Sequence, residues 1–398
     1  MTNKRKIIND PVYGFLTIED EIVFDVISHP YFQRLRNIKQ LAFTYLVYPG
    51  AAHSRFSHAV GALGLMNRAL DVLRMKGVAI TEEEALGARL AILLHDIGHG
   101  PYSHTLEHSL INLDHEEITR LFMRRMNEEF EGRLSMAIQI FEDAYPKHFL
   151  HQLVSSQLDM DRLDYLGRDS FFTGVSEGIV GTDRIINMLN VHGDELVVDE
   201  KGIYSIEKFI ISRRLMYWQV YLHKTVVAAD VMLHCILKRA KELVQNGGLS
   251  VEGPLDFFLQ GHQEDFLDRF ALLDDSDIHV ALKQWMSHPD KVLSMLSYNL
   301  VNRHLPSLKI SNKPYPQEML ETLLAQTQLC LDLTAEEAAF FVGTGKLENH
   351  AYDFNDQEIS VHYKDGRCLE ISQASDQLDR HFLEKAVKKY YVFYPKVI

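Results

Sequence analysis

The sequence predicts a mainly α-helical protein: a large helical lobe interrupted by one β-hairpin, with a small α+β appendage at its C-terminal end. Apolar residues recur at helical spacing over most of residues 19–305, whereas residues 191–206 alternate around two turn signals. After residue 305 the pattern changes to strands, turns and a single helix. We therefore divide the chain into a helical domain, residues 1–305, and a small C-terminal α+β domain, residues 306–398.

Helical patterns cover most of the lobe. The predicted helices span residues 19–39 with a break near Pro30, 54–74, 81–96, 116–130, 134–144, 151–169, 181–190 and 207–245. Thr81 and Glu84 have the spacing of a capping box, which indicates where the third of these helices begins. That helix is apolar almost all round, which is typical of a buried helix. It ends at His95 and Asp96, because Gly98 and the residues after it stop it.

The C-terminal segment has a strand pattern, an Asp-Gly turn and a second strand over residues 352–371. A helix near residues 377–389 and a final strand, YYVFY at residues 390–394, complete the predicted α+β unit.

Composition excludes several classes of protein. Of 398 residues 46% are apolar, which argues against a disordered or collagen-like chain. The net charge of −14 argues against non-specific nucleic-acid binding, which needs clustered Lys and Arg. The first residues lack an apolar signal region and no apolar run approaches 18 residues, so we expect a cytoplasmic protein without a membrane span. Three widely separated cysteines argue against a disulfide framework or a Cys-rich zinc site.

Histidine is the unusual residue. The chain has 20 histidines, and a cluster of seven alternates with Asp and Glu in one short window. Such a cluster indicates metal or proton chemistry. Its members are His53, His58, His95, His99, His104, His108 and His115.

His95 and Asp96 end the buried helix. Burying an imidazole beside a carboxylate costs several kcal/mol unless the groups are paired or bind a metal (about 2–7 kcal/mol for an unpaired polar group). A His-Asp dipeptide alone is most often structural. Here His58 precedes it and Asp161 follows it, and the order His, His-Asp, Asp is the metal signature of HD domains. This donor set suits a divalent transition metal, with Mn, Fe, Zn and Ni all open, and leaves coordination positions for water or substrate.

From Asp10 to about Asp230 the chain resembles the HD-domain deoxynucleoside triphosphate triphosphohydrolases, which include bacterial dGTPases. The matching stretches are NDPVYG, FQRLRNIKQL, VYPGAAHSRFSH, LLHDIGHGPYSH, DMDRLDYLGRD and YLHK. Enzymes of this family are largely helical and cleave a dNTP between the 5′ oxygen and the α-phosphorus, which releases a deoxynucleoside and inorganic triphosphate. The resemblance implies an HD core at about residues 50–170, a nucleoside triphosphate substrate with dGTP as first candidate, Mg²⁺ on its phosphates, and a homodimer or homotetramer.

The resemblance also implies roles for individual residues. Four positions match the metal ligands: His58, His95, Asp96 and Asp161. Three match histidines around the scissile phosphate: His99, His104 and His115. Arg55 matches the arginine that clamps the α-phosphate, a role that suits the fixed fork of a guanidinium. We expect His104, paired with Glu107 three residues later, to be the general acid for the leaving 5′ oxygen.

Further positions match the nucleotide pocket of the family. The phosphate contacts are Arg162, Tyr165, Arg213 and Lys224. The residues that read the sugar are Gln40, Asp169 and Tyr221. Leu41 matches the residue beneath the sugar and base, where it leaves little room and no partner for a 2′ hydroxyl. We therefore expect dNTPs to be preferred over NTPs.

Two departures from the family stand out. The stretch after Gln-Leu is often Gly-rich, but here it is Ala42-Phe43-Thr44, and the side chains of Phe43 and Thr44 would narrow the pocket. In the vertebrate member of the family, a dNTPase that carries an added SAM domain, an Asp reads guanine in an activator site, and here that position is Ser28. Asn9, Gln33 and Arg36 of the same region do match. Because Ser28 cannot accept two guanine N–H bonds as a carboxylate can, we expect activity without added GTP.

Two alternatives stay open. The chain could be another HD phosphohydrolase, such as a nucleotidase, a guanine-nucleotide hydrolase or a phosphodiesterase, and the identity of the product separates these from a triphosphohydrolase. It could also be a non-catalytic module that binds nucleotides or single-stranded nucleic acid. The intact set of metal ligands and the acidic charge argue against a binding module.

Overall fold

The computed structural model describes residues 6–102, 111–349, 352, 358–378, 380 and 387–398. Within these ranges eighteen helices form most of the structure, accompanied by three small sheets. The prediction of a mainly α fold is confirmed.

The N-terminal region is a hairpin followed by short helices. Its elements are β1 (Lys6–Asp10), β2 (Gly14–Ile18), α1 (Glu21–Ser28), α2 (Pro30–Gln33) and a 3₁₀ turn (Arg34–Asn37). The predicted break near Pro30 is confirmed, and its cause is local. The His29 side chain accepts a hydrogen bond from the Tyr31 backbone N–H at 3.2 Å, so α2 starts as a new helix with Pro30 in its first turn.

Seven helices follow. They are α3 (Arg55–Met75), α4 (Glu82–Leu94), α5 (His115–Glu129), α6 (Ser135–Phe141), α7 (His148–Gln152), α8 (Met160–Thr173) and α9 (Thr182–Met188). The capping box at the start of α4 is confirmed: Thr81 Oγ1 accepts from the Glu84 N–H at 3.1 Å, and Glu84 Oε2 accepts from the Thr81 N–H at 2.8 Å. The single helix predicted over residues 151–169 is wrong. It divides into α7 and α8, because Asp159 caps a new N-terminus by accepting from the Arg162 N–H at 2.6 Å.

The predicted β-hairpin is confirmed, but its first strand begins two residues before the predicted start. It consists of β3 (Leu189–His192) and β4 (Glu195–Asp199), and α10 (Ile203–Met216) and α11 (Lys224–Gln245) come after it. The predicted continuous helix over residues 207–245 is wrong, because residues 217–221 form a π-helical turn and His223 caps α11.

Among the described residues no single helix has the length and apolarity to cross a membrane. One pair of helices, bent by 57° at the break between them, meets these criteria only when the two helices are taken together.

The remaining elements are short. The helices are α12 (Pro254–Leu259), α13 (Leu267–Phe270), α14 (Asp275–Trp285), α15 (Lys291–Val301), α16 (Gln317–Leu331), α17 (Ala335–Ala338) and α18 (Ile371–Ala374). The strands are β5 (Ser307–Ser311), β6 (Gly343–Asn349), β7 (Ser360–His362), β8 (Cys368–Glu370) and β9 (Val387–Tyr394). The predicted strand–turn–strand unit is confirmed as β7 and β8. The final strand is confirmed but begins at Val387, so the predicted helix cannot reach Lys389, and residues 379 and 381–386 of that helix lie outside the described residues.

Strand pairing connects the C-terminal segment to the helical lobe. One sheet has the order β5-β9-β6, and a second has the order β3-β4-β7-β8. In the second sheet β4 and β7 are parallel, with Val198 opposite Val361. Backbone hydrogen bonds therefore link the two predicted domains.

The packing of α3 on α8 encloses a buried ion network. Arg168 is fully buried and donates from Nε and Nη2 to the two Asp164 oxygens at 2.9 and 3.0 Å. Its Nη1 donates to Asp10 Oδ2 at 2.8 Å. A Cβ at Gly61 would lie 1.9 Å from Arg168 Nη2 and 2.2 Å from Asp164 Oδ1. Only glycine at position 61 lets α3 approach the network this closely.

We expect Gly61→Ala to lower the free energy of unfolding by about 1–3 kcal/mol, since the added methyl group must displace the buried ion pair. Gly167→Ala on α8 is the matched control, because its Cβ would meet only Tyr13 Oη, at an ordinary 3.7 Å. That control should stabilise the protein by up to about 1 kcal/mol, as alanine is favoured over glycine in a helix interior. Urea unfolding followed by circular dichroism measures both, and equal shifts in the two variants would contradict the proposed close approach.

Candidate metal centre and nucleotide pocket

All four predicted metal ligands meet at one point. His58 comes from α3, His95 and Asp96 from the turn directly after α4, and Asp161 from the first turn of α8. His58 Nε2 lies 3.3 Å from His95 Nε2 and 3.0 Å from Asp161 Oδ1, and His95 Nε2 lies 3.5 Å from the same oxygen. Asp96 Oδ1 lies 3.5 Å from His95 Nε2, and Asp96 Oδ2 lies 3.7 Å from His58 Nε2.

The predicted C-terminal end of α4 is wrong by two residues. The prediction included His95 and Asp96 in the helix, whereas α4 ends at Leu94.

Hydrogen bonds orient both imidazoles toward this point. His95 Nδ1 donates to the Ile92 carbonyl at 2.6 Å, and His58 Nδ1 lies 2.7 Å from Asp164 Oδ2. Because a carbonyl and a carboxylate can only accept, each Nδ1 carries a proton, so Nε2 is the atom through which each ring can bind a metal. Two converging imidazole nitrogens beside a carboxylate oxygen are donors that a divalent transition metal prefers. The residues therefore fit the ion that the HD signature implies.

The electrostatics of the cluster also call for a cation. Burial disfavours a charged His58, yet Asp161 and Asp164 raise the pKa of His58 to about 10. Burial likewise opposes ionisation of Asp161, but His58 and His95 hold its pKa well below the ordinary range. Such a cluster draws positive charge to its centre, which a divalent metal supplies more effectively than a proton.

Asp164 has a role that the sequence interpretation missed. It accepts the His58 Nδ1 proton and at the same time pairs with Arg168, so it couples the metal ligand to the buried ion network. Carboxylates behind metal-binding histidines fix the tautomer and raise the basicity of the imidazole. A sequence signal was present, because Asp161 and Asp164 are three residues apart and lie on one helix face.

Arg55 lies at the edge of the metal centre. Its Nη1 pairs with Asp96 Oδ2, and both side chains are buried. Although burial opposes it, the positive charge of Arg55 helps to hold the pKa of Asp96 well below its usual range. Burial and Arg55 together hold the pKa of His99 well below its usual value, so that His99 is neutral. His99 Nε2 lies 3.3 Å from Asp96 Oδ1.

Hydrogen bonds connect the turn that contains His95 and Asp96 to α5. Thr119 Oγ1 accepts from the Gly98 N–H at 3.0 Å and donates to the His95 carbonyl at 3.1 Å. A Cβ at Gly98 would lie 2.1 Å from the His115 carbonyl, so the close approach requires glycine. The His99 ring stacks on His115, the first residue of α5, with centroids 4.1 Å apart.

The predicted general acid cannot be placed. His104 and Glu107 fall in residues 103–110, outside the described residues. Their roles stay predictions.

The three predicted sugar readers lie together. The Tyr221 hydroxyl donates to Asp169 Oδ2 at 2.7 Å, and Asp169 is buried at the C-terminal end of α8. His53 Nε2 lies 2.8 Å from Asp169 Oδ1, and its backbone carbonyl accepts from the Gln40 N–H at 3.0 Å. His53 belongs to the predicted histidine cluster, but no role beside the sugar readers was predicted for it. Leu41 follows Gln40 and is half-buried.

The residues predicted to contact the phosphates differ in burial and in hydrogen bonding. Arg162 and Arg213 both lie close enough to Tyr165 to oppose the effect of burial, which raises the pKa of that phenol to about 12. Arg213 is buried and donates from Nη1 to Gln157 Oε1 at 3.3 Å, whereas its Nε has no partner among the described residues. Lys224 is exposed at the start of α11. Tyr221 joins the group because the π-helical turn directs its ring toward Tyr165, with centroids 6.2 Å apart.

The departures from the family have structural counterparts. Ala42 has a φ of +41°, a left-handed conformation that glycine adopts without strain. Phe43 is buried and stacks on Tyr102 at 4.5 Å between centroids. Ser28 is exposed at the end of α1.

Two family models match the helical part of the chain. An HD-domain model matches residues 55–169, and a model of the HD-associated region matches residues 180–252. A crystal structure of a phosphohydrolase from Bacteroides thetaiotaomicron has a TM-score of 0.95 and 51% identity, covering 98% of this chain and 100% of that chain. The uncharacterised protein YwfO of Bacillus subtilis is 32% identical over 390 residues, which cover 94% of this chain and 88% of YwfO. The chain belongs to the HD-domain phosphohydrolases.

The name of another relative specifies a reaction. The deoxynucleoside triphosphate triphosphohydrolase SAMHD1 homolog of Dictyostelium discoideum is 30% identical over 275 residues. The match covers 63% of this chain and 52% of that relative. The predicted resemblance to HD-domain dNTP triphosphohydrolases is confirmed at the level of family.

We expect Asp164→Asn to weaken metal binding by roughly 10–100-fold, the usual effect of losing the carboxylate behind a ligating histidine. Asp96→Ala, which removes a ligand, should lose both the metal and hydrolysis. Exposed Asp71 on α3 provides the matched control, Asp71→Asn, which should keep full occupancy. Metal content after dialysis against graded chelator measures all three. Wild-type affinity in folded Asp164→Asn, with folding checked by circular dichroism, would exclude this role for Asp164.

Proposed function

We propose that this protein is a metal-dependent dNTP triphosphohydrolase, with dGTP as the first candidate substrate. The observation that carries the proposal is the placement of two sites on one helix. Asp161 of the metal cluster and Asp169 of the sugar pocket are eight residues apart on α8, which corresponds to about 12 Å along the axis. A single nucleotide can therefore hold its phosphates at the metal centre and its sugar beside Asp169.

The neighbouring side chains suit a polyanion. Arg55 borders the metal cluster, where its planar fork of donors fits two oxygens of an α-phosphate. Arg162 and Arg213 lie near Tyr165. In a chain with a net charge of −14, this local concentration of guanidinium groups favours a triphosphate over a neutral ligand.

A bound divalent ion would polarise a phosphate oxygen as a Lewis acid. The protein itself supplies orientation: Asp164 and the Ile92 carbonyl fix the two imidazoles, and the Tyr221 hydroxyl fixes the Asp169 carboxylate. With Tyr221 donating to Asp169 Oδ2, lone pairs of that carboxylate remain available to a sugar hydroxyl. We further propose that the enzyme works in the cytoplasm as a homodimer or homotetramer, and that Mg²⁺ accompanies the substrate phosphates.

A panel of dNTPs, NTPs and nucleoside monophosphates, assayed with Mn²⁺ and resolved by anion exchange, tests the reaction. We expect deoxynucleoside and inorganic triphosphate as products. The value of kcat/KM should be about tenfold to a hundredfold higher for dGTP than for GTP, because a 2′ hydroxyl against Leu41 is buried without a partner at a cost of about 1–3 kcal/mol. Activity should not require a non-hydrolysable GTP analogue, because position 28 is serine.

Any other result of this assay would contradict a specific part of the proposal. Orthophosphate, pyrophosphate or a nucleoside monophosphate as product would identify another type of HD phosphohydrolase. Equal rates on dGTP and GTP would contradict the role of Leu41, and an absolute requirement for the analogue would contradict the expectation drawn from Ser28. Binding without turnover of any nucleotide would indicate a non-catalytic module. The variant Tyr221→Phe keeps the ring but removes the hydroxyl that holds Asp169, and should lower activity on dGTP.

We expect His104→Ala to lower kcat by roughly 10²- to 10⁴-fold, the range for a lost general acid, with a smaller effect on nucleotide binding. Glu107→Gln should give a weaker form of the same defect. Single-turnover rates and nucleotide binding should be measured separately for each variant. A change in KM alone would transfer the role to His99 or His115.

A further inference from the structure

A second group of potential metal ligands lies far from the HD centre in sequence. His192 ends β3, His362 ends β7, and Cys368 begins β8. One ligand atom from each residue, a ring nitrogen or the sulfur, lies within 4.8 Å of the other two. The cysteine sulfur makes this donor set different in kind from the nitrogen and oxygen donors of the HD centre.

Strand pairing fixes two of these residues side by side. His362 and Cys368 are directly opposite each other on antiparallel β7 and β8, so their side chains share one face of the sheet. The third residue comes from another hairpin: the His192 ring stacks on the His362 ring with centroids 4.9 Å apart and planes inclined by 27°. A cross-strand pair alone explains His362 beside Cys368, but it does not explain a second imidazole brought to the same point.

We propose that His192, His362 and Cys368 form a second metal site, one that binds Zn²⁺ or a similar borderline-soft divalent ion. Zinc binds histidine nitrogen at about 2.0–2.1 Å and cysteine sulfur at about 2.3 Å, so donors of one tetrahedral shell are roughly 3–4 Å apart. Small side-chain rotations bring three atoms within 4.8 Å to that spacing. A water molecule completes the shell, and the Cys368 thiol proton is released to solvent on binding.

The position of the site indicates what the metal does. His192 belongs to the hairpin in the helical lobe, while His362 and Cys368 belong to the C-terminal segment. The two hairpins are joined by a short parallel ladder, in which Val197 to Asp199 pair with Ser360 to His362. An ion bound by all three ligands crosslinks the hairpins, so we infer that it holds the C-terminal segment on the helical lobe.

Cobalt substitution tests the site independently of activity. Full-length protein is stripped with a chelator and titrated with Co²⁺, and a cobalt–thiolate complex gives a sulfur-to-metal charge-transfer band in the near ultraviolet. The HD centre contributes no thiolate, so it gives no such band. We expect the band to saturate with about one equivalent of Co²⁺ beyond the amount that fills the HD centre, and Zn²⁺ to abolish it by displacement.

The variants separate this site from other metal binding. Cys368→Ser should abolish the band, while His192→Ala and His362→Ala should weaken cobalt binding at least about tenfold, because each removes a direct ligand. Cys330→Ser is the matched control, since Cys330 is the other exposed cysteine among the described residues, and it should keep the band. Asp96→Ala should also keep it. Absence of the band in wild-type protein, or its persistence in Cys368→Ser, would overturn the proposal.

Alkylation provides a second readout within one molecule. Cys368 and Cys330 are both exposed, so both react with iodoacetamide in stripped protein. Zn²⁺ at one equivalent above the HD centre should slow alkylation of Cys368 at least about tenfold and leave Cys330 unchanged, as measured by mass spectrometry of the two peptides. Equal rates at Cys368 with and without Zn²⁺ would contradict zinc ligation.

Discussion

Burial of the Arg168 guanidinium requires compensation that no apolar contact can give. Moving an unpaired charge from water into a protein interior costs several kcal/mol, and Arg168 is fully buried. Asp164 and Asp10 supply that compensation through three hydrogen bonds. Because Asp164 also accepts the His58 Nδ1 proton, the network that holds β1 and α8 together also orients a metal ligand. Stability and metal geometry are thus coupled through one carboxylate.

The spacing of residues along α8 decides which neighbour each of its functional side chains faces. Asp161 points to the metal cluster, Asp164 to the back of His58, and Arg168 to Asp10, at intervals of three or four residues. The next residue, Asp169, faces Tyr221 and His53. Residues three or four apart on a helix are neighbours, so a rigid α8 fixes the separation between the cluster of metal ligands and the group around Asp169. Loops alone would hold two such sites with less precision.

Local sequence patterns predicted much of the secondary structure. The capping box of α4, the break at Pro30 and the β7–β8 turn depend on neighbouring residues, and all were predictable. The order of His58, His95, Asp96 and Asp161 also predicted a cluster that the fold brings together. Long-range features were not predictable: the π-helical turn at residues 217–221, the parallel pairing of β4 with β7, and the partnership of Asp169 with His53 arise from tertiary packing. Periodicity and spacing carry no information on such contacts.

Among the described residues, the group around Asp169 includes buried polar atoms that make no hydrogen bond. Gln40 Oε1 and His53 Nδ1 are buried without a partner among the described residues, although both residues belong to the group around Asp169. Each unsatisfied buried polar atom costs about 1–3 kcal/mol. Hydroxyl or amino groups of a ligand can satisfy such atoms on binding, so part of the binding free energy comes from relieving a cost already present in the folded protein. A pocket built in this way favours a ligand that matches its polar groups and disfavours one that lacks them.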